Sequence, residues 1–195
     1  LGRLSASGAY AGGCRGVGPR RGRRRRRCGC FARAAVRGPR DRNLGRILFL
    51  QAQQIPDAPC YLVDNKTYTF AEVNRHVNRY AAGLANLGVT KGDRVVIYMR
   101  SCVEFIFMAF AANKLGAIWV PINADYKGSW LAEAIKDSKG KVLLTDTDKL
   151  PRISEVLSAG DYGKLVVKSI DGAALPAHAI ALTAFDSFPD AEPPT

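Results

Sequence analysis

The strongest constraint on the fold is that one stretch, residues 69 to 123, signals helix, strand, helix and strand in immediate succession. Both helices begin with a hydroxyl residue three positions before a glutamate: Thr69 before Glu72, and Ser101 before Glu104. In such a capping box the hydroxyl accepts the N–H three residues on while the glutamate reaches back to the cap's own N–H. The first helix is expected over Phe70–Asn86, with Phe70, Val73, Val77, Tyr80, Ala81 and Leu84 on one face. Leu87-Gly88 ends it, because glycine enters the left-handed conformation without steric cost. The turn Thr90-Lys91-Gly92-Asp93 then feeds Arg94–Met99, a β-branched run that reads as a buried strand.

The second helix, about Val103 to Leu115, is apolar almost all round, so it is either buried or in a membrane. A spanning helix needs roughly 20 apolar residues, and here Lys114, Gly116 and Pro121 interrupt the run. The same breakers fit a helix stop followed by a strand, Ala117–Pro121, so the buried reading is preferred and no transmembrane segment is expected.

The flanks extend the alternation. Leu44 to Ala52 forms a short amphipathic helix stopped at Ile55-Pro56. Cys60–Val63 and Lys66–Tyr68 flank Asp64-Asn65, a hairpin turn. A helix over Ser129–Ser138 places Trp130, Leu131, Ala134 and Ile135 on one face and ends at Lys139-Gly140. Strands at Lys141–Thr145 and Lys164–Lys168 bracket a helix near Lys149–Ser158, with Asp146 and Thr147 as cap candidates. Strands separated by helices imply right-handed crossovers. The expected fold class is α/β, three-layered with a mainly parallel sheet. Residues 44–184 form the folded part, and the Pro- and Asp-rich residues 185–195 read as a linker.

Charge is uneven. Of the 29 lysines and arginines, 14 are arginines within residues 1 to 46, against a single acid there, Asp41. Residues 1–43 lack an apolar period and read as a disordered Arg/Gly/Ala-rich extension. Three readings of it compete: a nucleic-acid arm acting through counterion release, an organellar transit peptide, and a solvated extension or mistranslated flanking sequence. The last is preferred, because the chain starts at Leu and has no lysine before Lys66. No specific nucleic-acid partner is expected. The five cysteines (14, 28, 30, 60 and 102) show neither a disulfide framework nor a zinc spacing, which predicts reduced thiols and no metal site. An intracellular location follows, cytoplasmic by preference, with mitochondrion or peroxisome as alternatives.

Neither phosphate-cradling loop, G-x-G-x-x-G after a strand or G-x-x-x-x-G-K-[ST], occurs. His76 and His178 lack motif partners and read as structural or solvated, and Ser101 reads as a cap rather than a nucleophile. Asp146 and Asp148 follow the carboxyl end of a strand, where open α/β sheets bind ligands, although capping explains them as well.

Taken in order, Tyr68–Asn74, Leu84–Gly88, Lys91-Gly-Asp-Arg-Val95, Cys102-Val-Glu-Phe105, Lys114-Leu-Gly-Ala117 and Val120-Pro-Ile-Asn123 resemble the N-terminal subdomain of the adenylate-forming acyl-CoA synthetases. The wording is most like the carnitine/crotonobetaine-CoA and medium/long-chain fatty-acid CoA ligase branch. The resemblance spans about residues 44 to 168. It implies a parent enzyme that uses ATP, Mg²⁺ and coenzyme A to activate a carboxylic acid as an acyl-adenylate and then transfer it to the thiol. That family's phosphate loop, adenine platform, ribose-binding Asp and catalytic Lys find no counterpart between Lys168 and Thr195. No catalytic, cofactor-binding or metal residue is therefore assigned, and the chain is expected to be a truncated fragment, inactive alone. Lys114–Asn123 matches a family motif whose Gly, Ala and Pro read as packing and turn residues. The competing expectation is a non-catalytic α/β binding or regulatory module.

Overall fold

The computed structural model describes residues 43–193, so the arginine-rich extension expected over residues 1–43 lies outside the described residues except for Asn43. Asn43 is already structured: its side chain accepts the N–H groups of Gly45 and Arg46 and caps α1 (Leu44–Gln54). The hairpin β1 (Pro59–Val63) and β2 (Lys66–Thr69) follows. Asp64 and Asn65 both take positive φ, 50° and 61°, the conformation required by a two-residue turn that matches strand twist.

The remaining elements run in chain order as α2 (Phe70–Asn86), β3 (Arg94–Tyr98), α3 (Val103–Lys114), β4 (Ile118–Pro121), α4 (Gly128–Ser138), β5 (Val142–Asp146), α5 (Leu150–Val156), β6 (Lys164–Lys168) and β7 (Ile180–Ala181). A 3-10 turn, Leu182–Ser187, closes the series. The sheet is ordered β4-β3-β5-β6-β7, and every neighbouring pair is parallel. Val95 pairs with Trp119 on one side and Val142 on the other, so the two apolar runs that dominate the sequence lie side by side.

Strand alternation builds three layers. Val95, Ile97, Val142, Leu144 and Val166 face α1, α2, α3 and the 3-10 turn. Val96, Tyr98, Leu143, Leu165 and Val167 face α4 and α5. Chain direction across the sheet reverses after β4, and a right-handed crossover then requires α4 and α5 to cover the face opposite α3. Among the described residues, no helix is long and apolar enough to cross a membrane. α3 is instead buried against α2 and the sheet.

Several expectations are corrected. The second capping box does not form: α3 is capped by Cys102 without a side-chain bond, one residue later than expected. Glu104 thereby falls at the second helical position, out of the register a capping box needs. Trp130 is 69% exposed, whereas Leu131 and Ile135 are buried; the buried stripe of α4 follows the i, i+3, i+4 spacing from Leu131, and Trp130 stands off it against Tyr126. α4 does end at Lys139-Gly140 as expected, and Lys139 adopts the left-handed conformation, with φ 48°. Gly140 serves close approach, since a Cβ there would lie 2.3 Å from Val96 Cγ2. Thr147 does not cap α5; its hydroxyl accepts the Ile170 N–H at 3.0 Å and holds the loop after β6.

The segment read as a linker from Phe185 onward begins inside the core. Phe185 is 1% exposed, edge-on to Tyr80 and Phe188. It fills a notch on α2, where a Cβ on Gly83 would meet the Phe185 ring at 2.6 Å.

Candidate functional site

Strand order sets the place where a ligand can enter. β4 lies on one side of β3 and β5 on the other, so the connections leave the carboxyl ends of β3 and β5 in opposite directions and open a crevice between them. A cavity of about 260 Å³ occupies this position, lined by Met99, Arg100, Ser101, Cys102, Asp146, Lys168 and Ile170.

Its floor is Asp146, the last residue of β5, which is 1% exposed. One carboxylate oxygen accepts the Lys149 N–H at 3.1 Å, and the other faces the Arg100 N–H at 3.5 Å. Asp146 thus closes the turn before α5 but does not cap the helix as expected, since the N-cap is Lys149 without a side-chain bond; the same carboxylate lines the crevice. Asp148 stands outside, where it receives the Arg100 guanidinium at 2.8 Å. On the opposite wall Lys168 Nζ donates to Glu104 Oε2 at 2.7 Å and ties the start of α3 to the end of β6. Burial pushes the Glu104 carboxyl up, but the Lys168 ammonium and the Cys102 thiol more than offset it and hold it below the usual glutamate range. Lys168 shows the complementary result: burial pulls its ammonium down, and Glu104 lifts it above the usual lysine range.

Cys102 is half-buried, and that burial pushes its thiol up to about 11. A protonated thiol is a poor nucleophile. Ser101 sits exposed at the mouth. Among the described residues, no three His, Cys, Asp or Glu side chains converge in a way that could hold a metal ion.

The structure brings together Ser101, Asp146 and Asp148 of the sequence candidates and leaves the histidines elsewhere. His76 stacks on Phe107 in the helical layer, centroids 4.8 Å apart and planes within 4°, and burial pushes its imidazole below the ordinary range. His178 is exposed in the loop before β7. In the motif Lys114–Asn123, Gly116 takes φ 68° at the helix stop and Pro121 ends β4, the turn and packing roles expected of them. Arg100, Cys102, Glu104 and Lys168 were not marked by sequence as crevice residues. Arg100 follows β3, Cys102 and Glu104 stand at the start of α3, and Lys168 ends β6, positions that look like ordinary surface until topology brings the strand ends together.

An open parallel sheet with a carboxyl-end crevice at its switch point defines an open α/β domain of the kind that places ligands at such crevices. The chain belongs to the AMP-binding enzyme family, whose profile it matches over residues 48–194. It is 37% identical over 139 residues to 4-coumarate–CoA ligase 2 of Oryza sativa subsp. japonica, a match covering 66% of this chain and 24% of that protein. It is also 37% identical over 91 residues to crotonobetaine/carnitine–CoA ligase of Salmonella paratyphi B, covering 47% of this chain and 18% of that ligase. Among solved structures, a fatty acyl CoA synthetase of Mycobacterium tuberculosis superposes with a TM-score of 0.66 at 29% identity, over 77% of this chain and 29% of that one. The matched region thus spans about a quarter or less of the two curated relatives.

Proposed function

We propose that this chain forms the first α/β subdomain of an ATP-dependent acid–thiol ligase and that it does not catalyse the reaction by itself. The observation that supports the reading is the family match over residues 48–194, combined with the lack of any Ser/Thr/Gly-rich phosphate loop between Lys168 and Thr195. In the proposed reaction a carboxylate oxygen attacks the α-phosphorus of ATP and pyrophosphate leaves. The thiol of coenzyme A then attacks the acyl carbonyl of the mixed anhydride, and AMP departs. Mg²⁺ would supply charge compensation on the phosphates, and among the described residues no group of three His, Cys, Asp or Glu is placed to hold it.

The part played by this chain is to border the site. The crevice volume of about 260 Å³ lies at the small end for a ligand pocket. Its cationic heads, Arg100 and Lys168, are each engaged by a carboxylate. They suit a wall that orients part of a ligand held mainly by other segments.

The test is a chimaera in which residues 48–193 replace the corresponding residues of the Oryza sativa ligase. Acid-dependent AMP and acyl-CoA formation by the chimaera is expected, together with no pyrophosphate release by the 195-residue chain alone across a panel of aliphatic and aromatic acids. Turnover by the chain alone would overturn the claim of inactivity. A folded chimaera that forms no acyl-adenylate would favour a binding or regulatory module instead.

A further inference from the structure

A second polar cluster lies away from the crevice, inside the helical layer. Lys114, in the last turn of α3, has a side chain only 2% exposed. An ammonium carries three donors and no acceptor, and all three are matched here. Nζ donates to Asn74 Oδ1 at 2.8 Å and Asn78 Oδ1 at 2.7 Å, both on α2, and to the carboxylate of Glu192. Asn78 turns its other end outward, Nδ2 donating to the Asp190 carbonyl at 2.8 Å. The aliphatic stem is walled by α1, where a Cβ on Gly45 would lie 2.5 Å from Lys114 Cγ, and the Phe49 ring lies 6.0 Å from Nζ.

For packing alone an apolar side chain of similar length would serve as well or better, since burying an ion costs several kcal/mol per group before pairing. What the lysine adds is direction, and one of its three acceptors lies outside any helix or strand. Asn74 and Asn78 belong to a long helix, whereas Glu192 belongs to residues 189–193, which have no helix or strand of their own. Upstream, Phe185 and Phe188 are held by ring packing. Beyond Phe188 the polar ties among the described residues are the two just named.

We propose that Lys114 and Asn78 form a latch that fastens residues 190–193 as a strap across α2 and α3, and that the strap is released on loss of the Glu192 carboxylate without unfolding of the layer beneath. Glu192 is the removable acceptor because it is the one whose backbone is not locked into an element. This inference concerns the chain's own conformation and does not depend on the proposed reaction.

The experiment uses the full 195-residue chain and the variant Glu192→Gln. The readouts are cleavage of the Asp190–Ala191 bond by an acid-specific endoprotease, acetylation of individual lysines by an amine-reactive ester, and alkylation of Cys60 and Cys102. Replacing the carboxylate is expected to raise that cleavage, and labelling of Lys114, by about tenfold, while labelling of Lys141 and alkylation of both cysteines stay unchanged. Lys114→Met should raise cleavage at the same bond with both cysteines still protected; if that variant fails to fold, Glu192→Gln decides alone. Unchanged Lys114 labelling in Glu192→Gln would overturn the latch. So would labelling of Lys114 that rises only together with alkylation of Cys60 and Cys102, because the cluster would then be part of the cooperative core.

Discussion

Two helix starts in this chain carry the same four-residue signal and end differently. At α2, Thr69 accepts the Glu72 N–H at 3.2 Å and Glu72 accepts the Thr69 N–H at 2.8 Å, so the box closes and the orphan donors are matched locally. At α3, Ser101 is left exposed, the cap moves to Cys102, and Glu104 turns away to Lys168 across the sheet end. The first start lies beside a hairpin, where Lys66 and Arg75 act on Glu72 more weakly than its bonds to Thr69 do. The second lies at the switch-point crevice, where a lysine from β6 offers a charged partner. A capping box is a local preference of about 1 kcal/mol, and a half-buried ion pair can outweigh it. The place where local and global preferences disagree is also the place where the ligand crevice sits, as expected of functional sites.

The comparison can be broken by removing the partner each glutamate chose. Lys168→Met should cost the most, about 1–2 kcal/mol in urea unfolding, because the Glu104 carboxylate is left half-buried without its cation; fully buried pairs lose more and surface pairs less. A cost no greater than that of a surface substitution would mean Glu104 is held by something else. The same variant sharpens the contrast through pH. Glu104 is held below its ordinary 4.5, so its contribution is present above that value and lost as pH falls through the lower folded value. Lys168 is raised above its ordinary 10.5, so its contribution is present below that value and lost as pH rises through the higher folded one. The stability difference between wild type and Lys168→Met should therefore form a plateau across neutral pH that fades at both ends. Thr69→Ala is next, expected to cost about 1 kcal/mol through the lost cap. Its difference from wild type should stay nearly flat with pH, because alanine keeps the residue-69 N–H that chiefly holds Glu72 low and the lost bond, from the Glu72 N–H to the Thr69 hydroxyl, does not titrate. Ser101→Ala should be smallest, within about 0.5 kcal/mol of wild type. A cost equal to that of Thr69→Ala would show that Ser101 caps α3 in solution.

Much of the architecture was legible because it is written locally. α2 begins and ends where its cap, periodicity and glycine stop place it, and the Asp64-Asn65 turn, β3, β4 and β6 follow from β-branched runs between breakers. β7 was not legible: Ile180-Ala181 is too short to show an alternating period. Nor was the burial of Phe185, which depends on a missing side chain at Gly83 far away in sequence. At the crevice, Asp146 and Asp148 could be found because acids just after a strand are conspicuous. Arg100 and Lys168 could not, since a cation after a strand looks like ordinary surface until topology brings two such ends together. Lys114 was read as a polar break in an apolar helix, and its acceptors come from α2 and from residue 192.

The fit of Phe185 into the Gly83 notch bears on how the protein is made. α2 leaves the ribosome well before Phe185 has been translated, so its notch stays open to water until the far edge of the sheet exists. Large domains that wait in this way expose apolar surface during synthesis. A nascent chain paused before the 3-10 turn would carry complete helices with an unplugged layer, a form that chaperones bind and proteases cut.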